Sequence, residues 1–267
     1  MTPSMRTSLR CLLSMSLSLC LLVAACSQHA TAPAVPQAVP APRPPDLSGF
    51  WNLDMKVPRD AQLMGEVAPN TAFIDDTGPV ELPLGNYGGL KPTPAALEKA
   101  KHWNPLDTLT IENVCRPPSI VYALQGPFPI EIFQSDVFIV MKLEYYDLVR
   151  IIFLDGRKPE PDYPHSMTGF STGHWEGATL VVETDHLEAA TITNNGLDHS
   201  ENVRVLERFR LSADGKSLLA TQEFEDPATL ENRGVRFIAW TRQPGQHVFP
   251  YECDPNFAGN YSQKKGK

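Results

Sequence analysis

The sequence predicts a mainly β domain, an antiparallel β-barrel or a β-sandwich with one short helix. Three observations predict it. From Ile130 onward, short segments dense in β-branched and aromatic residues follow one another. The pairs Asp155-Gly156, Glu176-Gly177 and Asp214-Gly215 punctuate them, as tight hairpins require. Only one stretch, Thr93 to Lys101, has the grammar of a helix.

The elements follow in order. Arg6 and Arg10 form a short basic region before an apolar, Ser-rich run from Cys11 to Val23, too short to span a bilayer with margin. The run ends in Val23-Ala24-Ala25-Cys26, which resembles the lipobox of bacterial lipoproteins. The resemblance implies a signal peptide over 1–25, lipid (palmitate-type acyl chains) on Cys26, and a membrane partner reached through that anchor. Ordinary cleavage with Cys26 left free is the alternative. Ser27 follows, where an Asp would resemble inner-membrane retention. The expected location is therefore the periplasmic side of the outer membrane. Residues 26–45 hold the lipidated Cys and a Pro/Ala-rich tether that cannot bury a core. A single β-rich domain is expected over 46–267.

The first strand is expected over 47–53. Pro58 to Gly89 is turn-rich and reads as irregular. Thr93 can cap a helix with Pro94 in its first position and Ala95 to Lys101 as good helix formers. Strands are then expected over 130–134, 136–144, 147–154, 171–175, 179–186, 202–211, 217–225 and 234–242. Many short strands joined by tight turns favour a closed sheet, because closure removes exposed edges.

Charge and cysteines narrow the class. Without residues 1–25 the chain keeps 21 basic and 31 acidic residues, a balance near −10, which argues against nucleic acid as a partner. Cys11 and Cys20 leave with the signal segment, and Cys26 takes lipid. Cys115 and Cys253 then remain in an oxidising compartment, where a disulfide is the default and two free thiols the alternative. No CxxC or H-E-x-x-H pattern indicates a metal site, and no phosphate loop or dinucleotide fingerprint indicates a cofactor.

From Arg150 to Tyr261 the chain resembles an uncharacterised family of secreted bacterial proteins. The resemblance is carried by Arg150-Ile151-Ile152-Phe153-Leu154-Asp155-Gly156-Arg157 and by a GxSxGxWEG-type run from Gly169 to Thr184. His199-Ser200-Glu201, Glu207-Arg208-Phe209-Arg210, Asp226-Pro227, Cys253 and Gly259-Asn260-Tyr261 complete it. Ala178 and Glu183 stand where the family has Asp. The resemblance implies a β-rich secreted domain and supplies no activity. Gly49-Phe50-Trp51 resembles the Gly-x-Trp opening of calycins, lipocalins included, in which the Trp plugs one end of a barrel.

Polar residues on apolar strand faces are the candidates for chemistry. Glu207 alternates with Val203, Val205, Phe209 and Leu211, so its carboxylate needs a partner, with cross-strand Arg150 or Arg236 available. That arrangement is either a structural clamp or a ligand-orienting, proton-transferring group. Glu183 and Asp185 share a strand face, as paired acids or as a solvated wall. His199 opens a strand with Glu201 two residues on, a possible general base. His174 and Trp175 read as rim residues. Ser171 in Gly169-x-Ser171-x-Gly173 lacks the strand–turn–helix context of a nucleophile elbow.

The expected function is binding of a small, partly apolar molecule by a periplasm-facing lipoprotein, with Arg150, Arg236, His174 and Trp175 around the ligand. Two alternatives stand beside it. One is a cofactor-free lyase, isomerase or hydratase using His199 with Glu201, Glu207 or Glu183 as catalytic residues. The other is a structural or assembly lipoprotein of the envelope. Whether the chain is an enzyme is left open by the sequence.

Overall fold

A computed structural model describes residues 43–259. The expected signal peptide, Cys26, most of the tether, Asn260 and Tyr261 lie outside the described residues. The strands in chain order are β1 (Gly49–Leu53), β2 (Ala72–Phe73), β3 (Ile130–Gln134), β4 (Phe138–Leu143), β5 (Val149–Phe153) and β6 (Phe170–Glu176). They continue as β7 (Thr179–Asp185), β8 (Ala190–Thr193), β9 (Leu197–His199), β10 (Arg204–Leu211), β11 (Ser217–Glu225) and β12 (Gly234–Arg242).

Nine of these close a barrel in the order β1-β3-β4-β5-β6-β7-β10-β11-β12, with β12 pairing back onto β1. The barrel, not the sandwich, is the realised alternative. Neighbours in a closed antiparallel sheet alternate direction, so an odd strand count forces one parallel seam. That seam is β5–β6, held at Ile152↔Ser171 and Phe153↔Thr172. Residues 154–169 supply the crossover that a parallel pair needs. The short β2 pairs parallel with β12 outside the closed ring, and β8–β9 form a separate hairpin.

The two barrel ends differ. One carries the short turns 135–137, 177–178 and 212–216; the other carries the long excursions 54–129, 186–203 and 226–233. Alternation along the strands sends Trp51, Trp240, Phe209 and Leu218 inward near the short-turn end, all fully enclosed. Trp51 is thus enclosed among the inward residues of the barrel. Its indole Nε1–H donates to the Leu47 carbonyl at 2.9 Å, and the Arg242 guanidinium lies 4.3 Å from its ring centre. Toward the long-loop end the inward residues turn polar: Arg150, Ser171, Thr184, Glu207, Gln222 and Arg236. Gly234 admits Phe224 to this end, since a Cβ there would meet the ring at 2.5 Å. Large side chains therefore occupy the barrel middle.

Three helices decorate the barrel: α1 (Ala61–Gly65), α2 (Pro94–Lys101) and α3 (Ile120–Ala123). α2 is the expected helix, and the Thr93 hydroxyl accepts from the Ala96 N–H at 3.3 Å. The stretch expected to be irregular holds α1 and β2. Asp60 caps α1 by accepting from Leu63 N–H at 2.9 Å, and Leu63 packs against Leu219 and Ala239 on the outer barrel wall. α3 lies across the long-loop end. Gln222 donates to the Ile120 carbonyl at 3.1 Å and Arg236 to the Val121 carbonyl at 2.9 Å, fixing this lid to the polar interior layer. Cys115 and Cys253 are disulfide-bonded, closing a separation of 138 residues.

Candidate functional site

Most interior polar groups pair with one another, with Arg150 Nη1 and Gln222 Oε1 left without a partner among the described residues. Arg150 donates to Glu207, to Ser171 Oγ at 2.9 Å and to Thr184 Oγ1 at 2.6 Å, while Gln222 donates to Glu207 Oε1 at 3.1 Å. Of the two arginines expected to meet Glu207, Arg150 does. Arg236 instead makes a two-pronged contact with Asp76, at 2.6 and 2.7 Å. Both ion pairs are enclosed, so Arg150, Arg236 and Glu207 present nothing to the solvent.

His199 is also enclosed, and its two ring nitrogens are engaged. Nδ1–H donates to the Ser200 carbonyl at 2.9 Å, which leaves Nε2 to accept from Ser119 Oγ–H at 2.7 Å. Burial pushes its pKa below the ordinary histidine value, against smaller opposing effects of the Ser200 carbonyl and the Asp226 charge. The expected His199–Glu201 pair does not form: Glu201 is exposed in the turn before β10, two residues past an inward-facing His. Asp226 is tied up locally, accepting from Ser200 Oγ and Thr229 Oγ1, each at 2.9 Å.

Of the remaining sequence candidates, Glu183, Asp185 and His174 lie on the outer wall, whereas Trp175 shares the inward face of β6 with Ser171. Glu183 is exposed on β7, in a cleft of about 450 Å³ with Phe170 and Leu206. Asp185 accepts from His186 Nδ1 at 2.7 Å. His174 is exposed and pairs with Glu176 at 3.0 Å, and Trp175 is half-buried against the edge of the core. The fold thus brings Arg150 and Glu207 together and separates Glu183, Glu201, Glu207 and His199.

A different site forms at the long-loop end, from segments without strand periodicity. The 3-10 turn Tyr145–Asp147 joins β4 to β5 and carries Tyr145 and Tyr146. The C-terminal segment adds Tyr251, α3 adds Tyr122, and the segment after α2 adds Trp103. Together they line a groove of about 760 Å³. The Tyr146 and Tyr251 rings stack with centres 4.5 Å apart, and Tyr145 meets both edge-on while stacking on Phe128. The disulfide joins the 103–118 wall to the 251–257 wall of this groove.

Hydrogen bonds hold the aromatic wall in a strained shape. Tyr146, Asp147 and Glu252 have left-handed φ values of 56°, 54° and 48°. The Tyr146 hydroxyl donates to the Val114 carbonyl at 3.0 Å, and Asp147 accepts from the Tyr251 N–H at 3.1 Å. Burial pushes the Tyr145 phenol well above the usual tyrosine value and raises that of Tyr146, and neighbouring tyrosines add to both. Tyr122 is raised by burial first and then by Glu81, to which its hydroxyl donates at 2.8 Å. The rings therefore stay neutral at physiological pH.

Sequence reasoning missed this groove. The adjacent Tyr145-Tyr146 pair and the expected Cys115–Cys253 bond were the two signals that could have located it. No protein-family model matches the chain, and no curated protein matches it either.

Proposed function

We propose that the protein is an exported, lipid-anchored envelope protein, facing the periplasm from the outer membrane, that binds a small, partly apolar molecule in the tyrosine-lined groove. Export and anchoring rest on the basic region, the apolar run and Cys26. The binding reading rests on one observation above all: Tyr145, Tyr146 and Tyr251 converge on a groove of about 760 Å³. That size falls among small-molecule sites, and the lining mixes aromatic rings with polar and charged groups in about equal measure. Strained residues gather at ligand clamps when surrounding bonds over-determine them, as around Tyr146 and Asp147. With the barrel middle occupied, the ligand belongs at the capped end rather than within. His199 and Ser119, both enclosed, brace α3 against β9 in this reading and are not a catalytic pair.

Native mass spectrometry of the unlipidated Cys26→Ala protein, purified from the periplasm of its own cells, tests the binding proposal. A retained small molecule, lost when Tyr146 and Tyr251 become alanine, is expected. A bare polypeptide mass, together with no binding of anilinonaphthalene sulfonate, overturns it.

A second reading, an assembly lipoprotein docked to an envelope protein, draws on the outer wall of β3–β5. Phe133, Val137, Phe138, Val149 and Ile151 are 40–49% exposed there. Val140 lies opposite both Phe133 and Ile151, and Phe138 lies opposite Phe153, so the strip is continuous. A photocrosslinker at Phe133 would yield one protein adduct in cells that the same group at Arg208 does not; no adduct removes the reading.

A further inference from the structure

The groove's charges are uneven. Three carboxylates line it, Asp198, Glu252 and Asp254, against one guanidinium, Arg116. Three of these four groups are engaged. Arg116 pairs with Glu188 at 3.1 Å, Asp198 with Lys99 at 2.8 Å, and Asp254 accepts from Asn256 N–H at 2.9 Å. Among the described residues, Glu252 has neither a hydrogen-bond nor an ion-pair partner, and it is exposed. It follows Tyr251 directly and is held at a φ of 48°.

The aromatic wall supplies a second source of negative potential. Ring faces carry the negative lobe of the π quadrupole, and a cation within about 6 Å of a ring centre is attracted by it. Tyr146 and Tyr251 stack face to face on one another with Tyr145 edge-on to both, and all three rings border one cleft. An anion would meet Glu252 and Asp254 unfavourably. A neutral molecule would gain little from either.

We propose that the groove takes an organic cation, a quaternary or tertiary ammonium head on an apolar body, with the head against Glu252 and the tyrosine rings. The proposal rests on the binding reading above and adds the charge of the ligand. Compact, weakly hydrated ammonium heads fit this chemistry better than a primary amine, because less hydration is lost when they meet a ring.

Isothermal titration of the disulfide-intact protein with choline and with its neutral carbon isostere, dimethylbutanol, tests it. Choline is expected to bind about tenfold more tightly. Glu252→Gln, at an exposed position that leaves the fold alone, is expected to close most of that gap without changing the alcohol's affinity. Tyr251→Leu is expected to weaken both. Equal affinities for the two probes overturn the cation proposal while retained binding of anilinonaphthalene sulfonate leaves the binding reading standing. Binding of neither choline nor the alcohol also overturns it.

Discussion

Glu207 sits on the inward face of β10 with no exposure, and Arg150 is its counter-charge. Truncating one member of an enclosed pair strands the other, so Glu207→Ala is expected to cost about 3–5 kcal/mol in urea unfolding. The double change Arg150→Met with Glu207→Leu should recover most of that loss, because apolar replacement of a whole pair is often neutral. A cost under about 1 kcal/mol for the single change would refute the clamp. His199 gives a pH prediction. Its folded pKa is lowered by burial, so the unfolded chain binds the extra proton first as pH falls. The stability it contributes is complete above the unfolded value near 6.5 and is lost as pH drops from there through the folded value. Melting temperatures from pH 8 to 5 should fall for the wild type and fall less for His199→Asn. The Glu207 partnership was legible because a charge among Val203, Val205 and Phe209 has to be matched from across the sheet. The Ser119–His199 bond was not, because it joins positions 80 residues apart with no local pattern.

At the scale of elements, strand positions were legible where alternation and turn pairs coincide. β3, β11 and β12 fall on the expected residues, and the α2 cap is the expected Thr93. The short elements were not legible. α1 spans 5 residues and α3 spans 4, too few to show a helical period. Their existence depends on the barrel they pack against. The groove follows the same logic, being made of the segments 103–118, 145–147 and 251–257, which meet only once the barrel has closed. The disulfide is the device that holds them. Chain-entropy arithmetic for a loop of this size gives about 5 kcal/mol as an upper figure. Cys253→Ser is accordingly expected to lower the melting temperature and, more tellingly, to weaken probe binding at temperatures where the barrel is still folded. Unchanged probe affinity in that variant would detach the disulfide from the site.

For the molecule as a whole, closure with nine strands explains the division of labour between the ends. One end is sealed by short turns over Trp51 and Trp240, and the β5–β6 seam hands the chain back through a crossover. The long excursions collect at the other end, where they form the lid and the aromatic groove. Loops placed by a rigid scaffold are where binding residues concentrate. The seam is the thinnest contact in the ring, with two paired positions against eight between β10 and β11. Hydrogen exchange should therefore open Ile152 and Phe153 before the β10–β11 amides, and the reverse order would contradict the assigned closure. The central claim is that the capped end, not the barrel middle or its walls, is where a small molecule binds. Chemical-shift mapping of the isotope-labelled protein during titration with anilinonaphthalene sulfonate tests it most directly. Perturbations confined to Tyr145, Tyr146, Tyr251 and the neighbouring 103–118 backbone are predicted. Perturbations centred on Arg150 and Glu207, or on the Phe133–Ile151 wall, would contradict it.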